Sequence, residues 1–111
     1  MSAAFKKIRA AVCRRAEGNC EHCGRWVGLN GEEAHADHAF GRGKGRPPEA
    51  VENVWLLCIE DNTARTVNEP SAAYWLVAFA AHAEKHGYAS EQKRALDRLA
   101  FVNARTELGA A

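Results

Sequence analysis

Three cysteines and an aspartate have the spacing of a metal site. Cys20 and Cys23 lie three residues apart, and Cys58 follows 35 residues after Cys23. Two cysteines in one tight turn can hold one edge of a tetrahedral zinc ion, and a second pair at the end of a later strand can complete the tetrahedron. The position three residues after Cys58 is Asp61, and zinc accepts a carboxylate oxygen. These four residues are therefore predicted to bind a structural Zn²⁺ ion.

The cysteines also allow other interpretations. The fourth zinc ligand has two competitors beside Asp61, namely His22 and Glu60. Without a metal, the three thiols would pack as small apolar side chains. A redox role for the Cys20–Cys23 pair is disfavoured because no βαβ pattern surrounds it. Cys13 lies beside the apolar positions of the first predicted helix and is expected to be a buried thiol.

A second group of residues has the chemistry to bind a divalent ion and to activate water. Asp37 offers a hard oxygen ligand suited to Mg²⁺ or Mn²⁺. The imidazole of His38 titrates at about pH 6.5 when unperturbed, which suits it to accept a proton from water. Neighbouring strand residues face opposite sides, so both could reach one phosphate only across a bend. Asn53 and Asn62 follow later in the sequence. The order and spacing of these four residues are more specific evidence for a site than the Asp37-His38 pair alone.

Basic residues suggest where phosphate would bind. The formal net charge is only +1, so the total charge does not indicate a nucleic-acid partner, whereas its distribution does. One glycine-rich loop carries three cations that are predicted to bind DNA phosphates: Arg42, Lys44 and Arg46. Arg65 could clamp a further phosphate or lie as an ordinary surface residue. Five basic residues near the N-terminus are interpreted equally well as a phosphate-binding patch or as a solvated face: Lys6, Lys7, Arg9, Arg14 and Arg15.

Apolar spacing predicts the elements that position these residues. Phe5, Ile8 and Val12 recur at helical spacing, which predicts a helix over residues 3–17. Residues 34–39 and 54–58 are predicted strands, with short extended chain at Trp26-Val27 and a turn at 29–31. One helix is predicted over residues 61–67, and a second over residues 71–86 that ends at Gly87. A third helix is predicted to begin after Ser90, which would cap it. The aromatic residues predicted to form the core of the late helices are Tyr74, Trp75 and Phe79.

These elements amount to an α+β chain, and its 111 residues fit a single domain. The N-terminal segment lacks an apolar export signal, and no segment is apolar enough to span a bilayer. A cytoplasmic location is therefore expected, in which thiols stay reduced. Two histidines have little support as ligands: His82 and His86 have the i, i+4 spacing of a metal-binding pair, but a carboxylate and a third ligand are not in place for them. His35, which shares a strand face with Asp37, is interpreted as a polar strand residue.

About half of the chain, from Arg14 to Thr66, resembles the HNH endonucleases. Zinc-bearing members of that family read R-x-x-G-x-C-x-x-C-G, then D-H, then N, then L-C-x-x-C-H-x-x-K-T. The first motif is matched at Arg15, Gly18, Cys20, Cys23 and Gly24. The later motifs are matched at Asp37, His38, Asn53, Leu57, Cys58 and Thr66. The chain departs from the pattern at Asp61 and Asn62, where the family usually has cysteine and histidine.

The resemblance implies a ββα-metal (His-Me finger) core with an N-terminal helix and two C-terminal helices. It implies that Asp37 is a metal ligand, that His38 is the general base and that Asn53 holds the loop and orients the histidine. Asn62 replaces the last histidine, as in some HNH nucleases that use asparagine there as a metal ligand. The substitution at Asp61 bears on the zinc site more than on catalysis.

The expected function is that of a metal-dependent DNA endonuclease, with His38 activating water and with Asp37 and Asn62 holding one Mg²⁺ or Mn²⁺ ion. The alternative is a catalytically weak, zinc-stabilised DNA-binding module. The single domain 1–111 would comprise a helix at 3–17, the zinc knuckle and ββα-metal core at 18–68, and a helical extension at 70–108. That extension could form a homodimer or bind a larger phage protein. Duplex DNA is the expected substrate, and no membrane partner is expected.

Overall fold

The computed structural model describes residues 2–40, 50–67 and 72–110 and shows an α+β arrangement, as predicted. Its elements are α1 (Ala3–Ala16), β1 (Ala34–His38), a single 3₁₀ turn (Val51–Asn53), β2 (Val54–Cys58), α2 (Ile59–Val67), α3 (Ala72–His86) and α4 (Ala89–Ala110). The chain divides into two compact units, Met1–Ala64 and Arg65–Ala111. Two predictions fall outside the described residues: the basic loop with Arg42, Lys44 and Arg46, and the start of the predicted 71–86 helix at residue 71. The single domain over residues 1–111 stays a prediction.

Helix α1 forms where the apolar spacing predicts it. At its start the Ser2 Oγ accepts a hydrogen bond of 3.0 Å from the Phe5 N–H, which caps the helix. At its end Glu17 adopts a left-handed conformation with φ of 53° and donates its N–H to the Cys13 carbonyl. The buried face presents four side chains to the rest of the first unit: Phe5, Val12, Cys13 and Ala16. The predicted burial of Cys13 is confirmed.

The two strands form an antiparallel pair with a fixed register. Ala34 lies opposite Cys58, Asp37 opposite Trp55 and His38 opposite Val54. Every residue of β2 is buried, whereas the residues of β1 are half-buried or exposed. The short strand predicted at Trp26-Val27 is wrong: within residues 2–40 Trp26 makes one isolated bridge, to Asn19.

A buried ion pair joins α1 to the rest of the first unit. The Arg15 Nε and Nη2 atoms donate to the two carboxylate oxygens of Glu21 at 2.8 and 2.6 Å. The same guanidinium donates to the carbonyls of Val51 and Val54 at 2.9 and 2.7 Å. Glu21 Oε1 accepts the Leu56 N–H at 2.9 Å, and the Glu21 N–H donates to the Leu56 carbonyl at 2.7 Å. Helix, turn and strand β2 are thereby fixed to one another.

A second arginine of α1 fixes the predicted turn at 29–31. Arg9 donates to the carbonyls of Asn30 and Gly31, both at 3.0 Å. The Gly31 N–H closes the turn on the Gly28 carbonyl at 2.9 Å. Gly31 has φ of 67°, and a Cβ there would lie only 3.1 Å from Cys13 Sγ. The left-handed backbone favours glycine at this position, and an added Cβ would also crowd the Cys13 sulfur.

In the second unit α3 and α4 pack against each other. Trp75 and Phe79 are buried as predicted, but Tyr74 is 56% exposed, so its predicted place in the core is wrong. Gly87 follows α3 with φ of 76°. The cap predicted at Ser90 is also wrong: α4 begins at Ala89, and its first turn is closed by the Gln92 N–H on the Tyr88 carbonyl. Among the described helices, none combines the length and apolar character needed to cross a bilayer.

Replacement of Arg15 by alanine is expected to lower the free energy of unfolding by about 3–5 kcal/mol, because it leaves the Glu21 carboxylate buried without its cation. Urea denaturation followed by far-ultraviolet circular dichroism measures the loss. Arg14→Ala is the matched control, since Arg14 is an exposed neighbour in the same helix, and it should stay within about 0.5 kcal/mol of the parent protein. Equal effects of the two substitutions would contradict the anchoring role of Arg15.

Candidate metal centre and active site

The turn after α1 directs backbone N–H groups at one sulfur atom. The Cys20 N–H donates to the Arg25 carbonyl at 2.7 Å, and the Gly24 N–H donates to the Cys20 carbonyl at 3.0 Å, which closes the turn. Within it, the N–H groups of His22 and Cys23 point at Cys20 Sγ at 3.4 and 3.5 Å. Such donors favour the thiolate form of a cysteine, which is the form that binds metal.

A second turn, at the junction of β2 and α2, repeats this arrangement. The Asp61 N–H lies 3.4 Å from Cys58 Sγ, just as the Cys23 N–H lies against the sulfur three residues before it. The Cys58 N–H in addition donates to Cys20 Sγ at 3.3 Å. The two turns therefore present their ligand pairs to the same volume.

The four predicted zinc ligands converge in the structure. One ligand atom from each of Cys20, Cys23, Cys58 and Asp61 lies within 4.8 Å of all the others. Cys23 Sγ and Cys58 Sγ are 3.9 Å apart. Tetrahedral zinc with Zn–S bonds of 2.3 Å requires sulfur atoms about 3.8 Å apart, so this separation suits zinc. The cluster can bind a metal ion such as zinc.

The surroundings of Asp61 distinguish it from its competitors. His22 Nδ1 lies 2.9 Å from Asp61 Oδ2, and the His22 ring stands edge-on to Trp55 at 6.3 Å. An imidazole bound to a ligating carboxylate fixes that carboxylate in place. The alternative ligand Glu60 is exposed and forms an ion pair of 3.0 Å with Arg25. Glu60 as a ligand is therefore wrong, and His22 is placed to orient Asp61.

The ionisation of these groups shows what a cation would change. Burial, supported by hydrogen bonds with Asp61 and Cys20, raises the pKa of Cys23 to about 12, and burial also raises the pKa of Cys58. Burial acts in the same direction on Asp61, but hydrogen bonds from His22 and the three thiols outweigh it and lower the pKa of that carboxyl. Without a cation the cluster thus holds the Asp61 carboxylate beside the neutral thiols of Cys23 and Cys58. A divalent ion must displace thiol protons to bind.

The pair Asp37 and His38 ends the first strand. Asp37 accepts a hydrogen bond of 3.3 Å from the indole Nε1–H of Trp55, the residue directly opposite it in the sheet. The ring of His38 stacks on Phe5 of α1, with centroids 5.4 Å apart and an angle of 24° between the planes. Trp55 and Phe5 are marked by the sequence pattern only as core residues. Only the register of the two strands, in which Asp37 lies opposite Trp55, identifies Trp55 as the neighbour of Asp37.

Asn53 holds the chain that follows His38. Its side chain accepts the Phe40 N–H on Oδ1 and donates Nδ2–H to the Phe40 carbonyl, both at 3.0 Å. Its own carbonyl accepts the Ala39 N–H at 2.8 Å. Asn53 is only 1% exposed, so these bonds are shielded from water. They are the contacts that a residue holding this loop would make.

The helix predicted over residues 61–67 begins earlier than predicted, and Asn62 lies inside it rather than at its start. Helix α2 begins at Ile59, three residues before Asn62, because the turn from Cys58 to Asp61 is also the first helical turn. The positive end of the helix dipole therefore lies at the cysteine cluster rather than at Asn62. Asn62 and Arg65 are both half-buried in α2. Their roles as ion ligand and phosphate clamp stay predictions.

The purified chain is expected to bind one zinc ion, and Cys58→Ser should abolish stoichiometric binding because it removes a thiolate ligand. Inductively coupled plasma mass spectrometry measures the zinc content. Cys13→Ser is the matched control, since Cys13 lies outside the cluster, and it should keep its zinc. Because the Cys23 and Cys58 thiols are protonated without metal, zinc affinity should rise with pH and binding should release protons. Calorimetry in buffers of different ionisation enthalpy measures that release.

His22→Ala is expected to weaken zinc binding about 10- to 100-fold, because Asp61 loses the partner that orients it. Competition with a chromophoric chelator gives the affinity. Asp61→Cys should bind zinc at least as tightly as the parent, since it supplies a fourth thiolate. If Asp61→Ala kept full affinity while His22→Ala lost it, His22 would be the ligand instead.

Comparisons of this chain with protein-family models, with curated proteins and with solved structures found no match. The resemblance to HNH endonucleases therefore depends on the motif residues themselves. Of these, Arg15, Cys20, Cys23 and Cys58 have the structural contacts described above, and Asn53 holds the loop after His38.

Proposed function

We propose that this chain is a metal-dependent DNA endonuclease of the HNH type, with a ββα-metal core formed by β1, β2 and α2. The observation that carries the proposal is the double hydrogen bond between Asn53 and Phe40, which fixes the chain directly after His38. The order of elements adds support, since two antiparallel strands are followed without a break by a helix. A cysteine cluster at that strand–helix junction would stabilise a core of this size.

His38 would be the general base. Its ring stacks on Phe5, and its backbone is held between its strand partner Val54 and the Asn53-bound loop. A neutral imidazole so fixed can take a proton from water as that water attacks a phosphodiester phosphorus. The bond from phosphorus to the 3′-oxygen breaks, and the leaving oxygen is protonated from solvent. By resemblance, the products are a 5′-phosphate and a 3′-hydroxyl.

Asp37 and Asn62 would hold the catalytic ion. Their carboxylate and amide oxygens are hard donors that suit Mg²⁺ or Mn²⁺. The Trp55 indole bonds one oxygen of Asp37 at 3.3 Å, which orients the carboxylate. When bound, the ion would supply Lewis-acid stabilisation of the negative charge that develops on the phosphate and the leaving oxygen.

The zinc site would be structural. Its cysteines and Asp61 join the turn after α1 to the start of α2, far along the strand from His38, which pairs with Val54 while Cys58 pairs with Ala34. Four protein ligands also leave no open coordination position for a substrate. A reducing cytoplasm would keep the thiols able to bind zinc. Arg42, Lys44, Arg46 and Arg65 remain the proposed phosphate contacts, and the late helices the proposed surface for a homodimer or a phage partner.

The second candidate is a zinc-stabilised DNA-binding module without catalysis. It uses the same cysteine cluster and basic residues, and differs only in whether Asp37, His38 and Asn62 act on the phosphate. The presence of all three residue types favours the enzyme.

His38→Ala is expected to lower the rate of supercoiled-plasmid nicking by about 10²- to 10⁴-fold in Mg²⁺ or Mn²⁺, because the water loses its base. Gel electrophoresis of nicked and linear products measures the rate. His35→Ala is the matched control, an exposed histidine on the same strand, and should stay close to the parent rate. Zinc content and circular dichroism should be unchanged in both.

Asp37→Asn and Asn62→Ala should each lower the rate and raise the Mg²⁺ concentration needed for half-maximal activity. If parent and His38→Ala proteins were equally inert with every divalent ion yet still retarded DNA in gels, the binding-module candidate would replace the nuclease.

A further inference from the structure

An open groove lies along α1 in the first unit, away from the residues assigned to catalysis. Its volume is about 590 Å³, and it is formed between α1 and the turn at 29–31. Its lining residues are Lys6, Arg9, Ala10, Cys13, Arg14, Leu29 and Asn30. Three of the seven are cations, and none is a carboxylate.

The structure assigns different tasks to the cations of α1, which the sequence alone leaves undivided. Arg15 is bound to Glu21, and Arg9 is tied to the carbonyls of Asn30 and Gly31. Within the described ranges the side chains of Lys6 and Arg14 have no ion-pair or hydrogen-bond partner, and both residues are exposed. Arg9 thus contributes a fixed charge, while Lys6 and Arg14 have donors available for a ligand.

The Cys13 thiol at the floor of the groove does not repel an anion, because it carries no charge. Burial raises the pKa of the Cys13 thiol, an effect that Arg9 reduces and that Glu21 and Glu32 increase. Cys13 is therefore neutral at physiological pH. Of the two acidic groups, Glu21 is already paired with Arg15. The charged side chains that line the groove are all cations, and the Glu32 carboxylate lies near its floor without being part of the lining.

We propose that this groove binds the sugar-phosphate backbone of duplex DNA, with Lys6 and Arg14 contacting phosphates and Arg9 and Asn30 forming its far wall. The proposal rests on the proposed nuclease function and names a second contact for the same substrate.

The dimensions and position of the groove agree with this ligand. Lys6 and Arg14 are eight residues apart, about 12 Å along a helix. Neighbouring phosphates of one DNA strand are separated by more than the axial rise of about 3.4 Å, because the strand winds around the axis, so Lys6 and Arg14 can contact two different phosphates of one strand. Lys6 directly follows Phe5, whose ring stacks on His38. The end of the groove at Lys6 is therefore the end nearer to the proposed base.

The test measures the affinity for a 20-base-pair duplex by fluorescence anisotropy over a range of NaCl concentrations. Each lost phosphate contact lowers the slope of log Kd against log salt by about 0.9, so Lys6→Gln with Arg14→Gln should lower it by about 1.8. The control, Lys7→Gln with Lys85→Gln, removes the same charge from exposed positions outside the groove and should change the slope by less than half as much.

Plasmid nicking gives a second readout. Loss of a phosphate contact remote from the reacting bond should raise KM for DNA at least 10-fold and leave kcat within 2-fold. Equal slopes and equal KM values in the groove and control variants would overturn the groove proposal while nicking by the parent protein upheld the nuclease. Groove-dependent binding by a parent protein that fails to nick would uphold the groove and overturn the nuclease.

Discussion

The first unit depends on one buried ion pair. Arg15 and Glu21 have side chains only 10% and 5% exposed, and together they bond the backbone of Val51, Val54 and Leu56. A pair taken out of water is stable only when its remaining donors and acceptors are satisfied, and here the backbone satisfies them. The pair also sets where the Cys20 turn lies against β2, because Glu21 belongs to that turn and is bonded to Leu56 on both its backbone and side chain. The ion pair therefore holds together the turn and the strand that carry the three cysteines of the cluster.

The cysteine cluster then determines how the strand passes into the helix. Cys58 ends β2, and the N–H of Asp61 bonds its sulfur within the first turn of α2. The positive end of the helix dipole consequently lies against the sulfur atoms, where it stabilises the thiolates that form when a metal ion displaces the thiol protons. This placement explains why Asn62 comes a full turn into the helix. An ion ligand at Asn62 would act through its side-chain oxygen and would gain little from the helix terminus.

Local patterns in the sequence were sufficient for the elements and for the cysteine cluster, because both depend on spacing. The apolar residues of α1 and the continuous apolar run of β2 predict a helix and a buried strand wherever they occur. The wrong predictions concern residues whose environment is set by parts of the chain that are distant in sequence. Glu60 has the chemistry of a zinc ligand, but Arg25 holds it in solvent. Tyr74 has a large aromatic side chain, as many core residues do, but its position on α3 leaves it exposed. Neither outcome is visible without the tertiary arrangement.

The same limit applies to the cations of α1 and to the proposed active site. Five basic residues within ten positions look alike in sequence, yet one is buried with Glu21, and three line a groove, of which one also fixes a turn. Similarly, an Asp-His pair is common, and its meaning here comes from Trp55 across the strand pair and from Asn53 on the loop. Each contact joins residues 13 or 18 positions apart. The residues that would perform the chemistry can thus be named from motifs, whereas the residues that hold them in place are set by strand register and burial, which the three-dimensional structure supplies.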